Sequence, residues 1–182
     1  MEIFWNTIAR YNAATWPWQI AIVAAGAGLT VLLYLRPTQN VKRAMKLFLA
    51  GLNAWIAVVY YLVWCGQRSH SDVLALFWGI MAVIWLYDLY ADFTRFERTS
   101  RPNGFALLLY LMPLAYPLFS LARGLSFPMM TMPVMPCSVA VFTIGLMLAF
   151  THRINIFLVL FLCHWALIGL AKVYFFGIPE DF

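Results

Sequence analysis

Six runs of the sequence are long, oily and almost free of charge: Trp16–Leu35, Leu47–Cys65, Val73–Tyr90, Phe105–Leu121, Cys137–Phe150 and Ile156–Phe176. A helix rises 1.5 Å per residue, so crossing a hydrocarbon layer of about 30 Å takes about 20 apolar residues. Inside lipid every backbone N–H and C=O needs a partner from the chain itself, which leaves helices or a closed barrel. The runs show no sustained alternation of the kind a barrel strand requires. The fold class expected is therefore all-α, a polytopic transmembrane helix bundle of about six spanning helices. It forms a single domain over residues 1–182, with 1–15 as a lead-in and spans near 16–35, 47–65, 73–90, 105–121, 137–150 and 156–176.

Composition removes the soluble alternatives. Hydrophobic residues make up 64% of the chain and charged residues 10%, against about 45–50% and about 25% in soluble domains. No water-soluble core of this length hides that much apolar side chain. The net charge of +5 rests on few residues lying between apolar runs. It reports topology instead of a nucleic-acid partner, and the partner expected is the lipid bilayer. The start, "MEIFWNTIARYNAATWPW", lacks the basic segment and small-residue cleavage site of a signal peptide. It reads as an amphipathic lead-in on the membrane surface.

Counting Lys and Arg orients the bundle. With the N-terminus outside, the inner connectors hold eight of the twelve: Arg36, Lys42, Arg43, Lys46, Arg95, Arg98, Arg101 and Arg153. Arg10, Arg68, Arg123 and Lys172 stay outside. The positive-inside rule favours that arrangement, and Trp and Tyr near the helix ends suit the headgroup zone.

The fifth run is short, about 21 Å if helical, and "MPVMPC" breaks the chain before it. Pro136 suits the first helical turn, where its missing N–H is not needed. Cys137 and Ser138 then fall in that turn. Either "FPMMTMPVM" continues the crossing as irregular chain buried in protein, or the membrane thins. Cys137 has two readings. It is an activated thiol at a helix N-terminus, or a small residue that lets helices pack. Cys65, Cys137 and Cys163 are far apart and match no metal-ligand spacing, so no metal site is expected and no cofactor is assigned.

On the charge-derived topology Tyr11, Asn12, Cys137, Glu180 and Asp181 gather on the outer side, and they are the candidate ligand-binding residues. The two carboxylates suit a cation, or are a solvated chain end. Within the spans, Asp88 and Asp92 lie one turn apart and face "RFERTSR", as an inner ion pair or as a proton relay. His164 and Asn53 are expected to hydrogen-bond between helices. Lys172 is expected to snorkel outward.

The stretches "RYNAATWPWQ", "AVVYYLVW", "MPCSVAVFTIGLML" and "HWALIGLAKVYFFGIPED" resemble the domain-of-unknown-function 6064 family, small polytopic bacterial membrane proteins. Order and spacing fit over nearly the whole chain. Ser138 stands where the family has a second proline. The resemblance implies a multi-pass protein of the bacterial inner membrane and no assigned activity. It selects Tyr11, Asn12, Trp16, Pro17, Pro136, Cys137, Thr143, Trp165, Gly177, Pro179, Glu180 and Asp181.

Three functions are open. The first is a transporter or binding protein for a small solute or ion, with an outward-facing polar site. A short helix points that way, and so small a transporter is expected to be a homo-oligomer. The second is an accessory or assembly subunit without chemistry. The third is a thiol–quinone redox protein using Cys65 and Cys137. No catalytic residues are assigned, and the pattern leans away from an enzyme.

Overall fold

The computed structural model describes residues 2–66, 70–97 and 104–176. Over these residues the chain is helical almost throughout, in six α-helices with one short ribbon. Helix α1 (Glu2–Leu35) is followed by α2 (Gln39–Trp55), which continues as a π-helical stretch, Ile56–Trp64. Then come α3 (Ser71–Ala91), strand β1 (Arg95–Phe96), α4 (Gly104–Ala122), α5 (Pro136–Phe150), strand β2 (Thr151–Arg153) and α6 (Ile156–Phe176). Among the described residues four helices are long and apolar enough to cross a membrane: Phe4–Leu35, Gln39–Trp64, Ser71–Ala91 and Gly104–Ala122. This is the architecture of an integral membrane protein, and the expectation of an all-α fold is met.

The lead-in is not a separate segment. Residues 2–15 form the first turns of α1, with Ile8, Tyr11, Asn12 and Thr15 buried against the rest of the chain. At 34 residues, α1 is about 51 Å long, well beyond the hydrocarbon thickness. Helix α2 begins at Gln39, so Lys42, Arg43 and Lys46 sit on the helix and not in the connector before it. Thr38 caps it, its hydroxyl accepting from the Val41 N–H at 3.4 Å. In the π-helical stretch the Tyr60 carbonyl is taken by the Cys65 N–H at 2.9 Å, and Ser71 Oγ donates to the Tyr61 carbonyl at 2.7 Å. The end of the stretch is thereby tied to the first residue of α3.

Helix α5 starts at Pro136 with Met135 as an extended N-cap, as the sequence predicts. The fifteen residues of α5 rise about 22 Å. The segment before it is irregular chain packed into the protein, with Met130, Thr131, Val134 and Met135 buried, in agreement with the first of the two remedies for a short helix.

Helices α4 and α5 form the most extensive helix pair among the described residues. The cause is Gly145. A Cβ placed there falls 2.5 Å from the Tyr110 N and 2.8 Å from its Cα, so only a residue without a side chain lets the two backbones approach this far. Prolines 113 and 117 lie inside α4. Just beyond them Ser120 Oγ pairs with Thr131 Oγ1 at 2.6 Å and accepts the Thr131 N–H at 3.0 Å, fastening the irregular segment to α4.

At the opposite end β1 and β2 form a two-stranded antiparallel ribbon, Arg95 opposite Arg153 and Phe96 opposite Thr151. Phe96 is buried and stacks on Trp85, with ring planes 8° apart. The ribbon carries the connector after α3 onto the connector between α5 and α6.

Candidate functional site

Two polar clusters stand at opposite ends of the bundle. The first contains Tyr11 and Asn12, two of the residues expected at the outer rim. The Tyr11 hydroxyl donates to the Val134 carbonyl at 2.6 Å and accepts from Trp55 Nε1 at 3.1 Å. Its ring meets Tyr60 edge-on at 5.0 Å. The Asn12 side-chain amide donates to the carbonyls of Pro128 and Met130, both at 2.8 Å. Gln19 Nε2 donates to Asn12 Oδ1 at 3.3 Å and to Thr15 Oγ1 at 2.9 Å. Ser138 Oγ donates to the Met132 carbonyl at 3.0 Å.

These bonds have one purpose. Irregular chain buried among helices has carbonyls with no secondary-structure partner, and each left unmade costs about 1–3 kcal/mol. Tyr11, Asn12 and Ser138 supply those partners. The structure thus brings Tyr11 and Asn12 to the segment before Cys137 but uses their polar atoms on the backbone, with both side chains fully buried. Tyr11→Phe is expected to cost about 1–3 kcal/mol, because it leaves Val134 O and Trp55 Nε1 without partners. The melting temperature of the purified protein in detergent measures this, and an unchanged value would remove Tyr11 as the brace.

Cys137 is half-buried in the first turn of α5, and Cys65 is buried; no disulfide joins cysteines among the described residues. Glu180 and Asp181 lie outside the described residues. Next to this cluster is a narrow apolar cavity of about 60 Å³, lined by Ile22, Gly26, Phe48, Tyr110, Pro133 and Phe142 among others. Two other expectations change. Asn53 donates to Leu49 O, 2.7 Å away within its own helix, in place of a neighbouring one. His164 is exposed, with its ring 5.7 Å from that of Phe77, and makes no helix-to-helix hydrogen bond among the described residues.

The second cluster is charged. Lys46 is 3% exposed and Asp88 0%. The Lys46 ammonium has three acceptors: Asp88 Oδ2 at 3.0 Å, the Asp88 carbonyl at 3.0 Å and Asp92 Oδ1 at 2.7 Å. An ammonium has three N–H donors, so this one is saturated. The Asp88 carboxylate also accepts from the Thr94 N–H, at 3.1 and 3.3 Å to its two oxygens. Thr94 Oγ1 in turn accepts the Asn155 N–H at 3.2 Å, joining the connector before α6.

Asp92 follows the last residue of α3 in a left-handed conformation, φ 47°. It faces Lys46 on one side and Arg95 Nε, 3.5 Å from Oδ2, on the other. The hydrogen bond from Lys46 holds its carboxyl below the ordinary carboxylate range, aided by the charges of Lys46, Arg95 and Lys42.

In front of this cluster is a polar cavity of about 310 Å³, lined by Gln39, Lys42, Lys46, Asp92, Arg95, Phe96 and Glu97. Sequence reading found Asp88 and Asp92 but assigned their charge to the downstream "RFERTSR". Arg95 fits that assignment in part. The principal counter-ion is Lys46, read there only as a topology marker. A signal for it exists: Lys46 lies on the same helical face as Ala50 and Asn53, so a lysine falls in register with the buried stripe of α2.

The whole chain, residues 1–182, matches DUF6064, a family of unknown function. No curated protein and no solved structure matches it.

Proposed function

We propose that this chain, which belongs to the DUF6064 family, is a membrane protein that binds a small charged solute and passes it across the bilayer. Its site is the cavity over Lys46, at the end of the bundle opposite the irregular segment. The observation that carries the reading is an open polar cavity of about 310 Å³ lined by Lys42 and Arg95, with the buried Lys46 ammonium as its floor. Ionisable groups taken out of water in a membrane protein are costly and mark solute or proton paths. The outer cluster supports the reading by contrast, since the Tyr11 hydroxyl and the Asn12 amide donate to backbone carbonyls. The positive-inside count favours a cytoplasmic side for the Lys46 end.

A second reading, the accessory subunit without chemistry, is favoured by the saturation of that ammonium: all three donors of Lys46 are used within the fold.

Flux separates the two. Protein reconstituted in vesicles is expected to raise the flux of at least one of phosphate, acetate or protons above that of protein-free vesicles, and Arg95→Gln is expected to reduce it several-fold. Folded protein that passes none of these sinks the transport reading and leaves the accessory one.

A further inference from the structure

Resting on the cavity reading above, we infer that the cavity over Lys46 takes a phosphate-bearing anion: an anionic phospholipid headgroup of the adjoining leaflet, or a free phosphate.

The sign of the ligand follows from which charges are already used. Three cations and two carboxylates line the cavity: Lys42, Lys46 and Arg95 against Asp92 and Glu97. Lys46 is consumed by Asp88 and Asp92. Asp92 is shared between Lys46 and Arg95, so these two cations balance the Asp88 and Asp92 carboxylates. The unspent cation is Lys42, half-buried and without an ion pair among the described residues, while Arg95 keeps unspent donors. Arg95 meets Asp92 through Nε alone among those residues, at 3.5 Å. Its terminal nitrogens are the paired donors that suit phosphate. Glu97 is exposed and is the one carboxylate of the lining without an ion pair among the described residues.

A second feature has the same sign. Gln39, the first residue of α2, lines the cavity, so the positive end of that helix opens on it. The first turn carries no acidic residue to complement the dipole. Thr38 satisfies only one of its N–H groups. A helix amino end, the Lys42 ammonium and the terminal nitrogens of Arg95 at one cavity are the recognition chemistry of a phosphate group. A cation would face Lys42, Lys46 and Arg95 with Glu97 as its sole unspent counter-charge.

The test uses purified full-length protein in phospholipid-free detergent at constant ionic strength. Sodium phosphate is titrated against sodium chloride, and Mg²⁺ is titrated separately. In a parallel arm the protein is placed in nanodiscs of phosphatidylcholine with or without phosphatidylglycerol. A saturable rise in melting temperature is expected with phosphate, with phosphatidylglycerol, or with both. Phosphate alone identifies a free anion, and phosphatidylglycerol alone a headgroup. Lys42→Gln and Arg95→Gln lie outside the buried ion pair. They are expected to keep the unliganded melting temperature and to weaken the response at least tenfold in ligand concentration. No response to either probe overturns the inference, as does a response that both variants retain. A response to Mg²⁺ alone, lost on Glu97→Gln, overturns the phosphate class while leaving the cavity a binding site. Flux of acetate or protons without phosphate binding does the same.

Discussion

Lys46→Met is expected to destabilise the protein by about 3–5 kcal/mol, and Asp88→Asn by a comparable amount. The two groups sit 3.0 Å apart with side chains 3% and 0% exposed. Removing one partner leaves the other charge buried and uncompensated, and such losses fall in that range. For Lys46→Met the orphan is the Asp88 carboxylate, which retains only the Thr94 N–H. The C-terminal carbonyl of Asp88 also loses its side-chain cap. Asp92→Asn should cost much less, because Asp92 is 49% exposed and water screens its loss. The double change Lys46→Met with Asp88→Leu removes both charges and is expected to recover most of the single-variant loss. Thermal unfolding in detergent gives all four values. Additive losses in the double variant would show that the two groups act independently and that the pair is not the unit of stability.

Gly145 carries the other large effect. Adding one methyl group puts a carbon 2.5 Å from the Tyr110 nitrogen and 2.9 Å from the Leu109 carbonyl carbon. The obstacle is backbone, not a side chain free to rotate away, so α4 and α5 must separate. Gly145→Ala is expected to cost about 1–3 kcal/mol through overpacking, and Gly145→Leu to abolish recovery of folded protein. Gly28 is the control, because a Cβ there meets nothing within 4 Å. Gly28→Ala should be neutral in the same assay. Equal melting temperatures for Gly145→Ala and Gly28→Ala would refute the close contact.

The helices were legible because their cause is local. A run such as Phe105–Leu121 has no chemistry other than burial or lipid, and Pro136 announces the start of α5 by its own geometry. The meeting of Tyr11 and Asn12 with the segment before Cys137 was legible in outline, since both lie on one side of the charge-derived topology. Their role was not. It depends on where the carbonyls of Pro128, Met130 and Val134 point, which no side-chain pattern encodes.

Lys46 was hidden for a different reason. Its partner Asp88 is 42 positions away, and a lysine at the start of an apolar run reads first as a topology signal. Gly145 shows the same limit, since a glycine in an apolar helix does not say which backbone lies against it. The charged cavity is assembled from residues of α2, the turn between α3 and β1, β1 itself and Glu97 just after it. None of these segments looks like a binding motif alone.

On the proposed topology the two polar ends face opposite sides of a bilayer, the irregular segment outward and the Lys46 cavity toward the cytoplasm. The direct measurement is labelling by a membrane-impermeant maleimide in intact spheroplasts and in inverted vesicles, on a chain with its three cysteines replaced. Phe127 and Glu97 are exposed, one at each end. Phe127→Cys should label only in spheroplasts and Glu97→Cys only in inverted vesicles. Labelling of both from the same side, or the reverse assignment, would contradict the account.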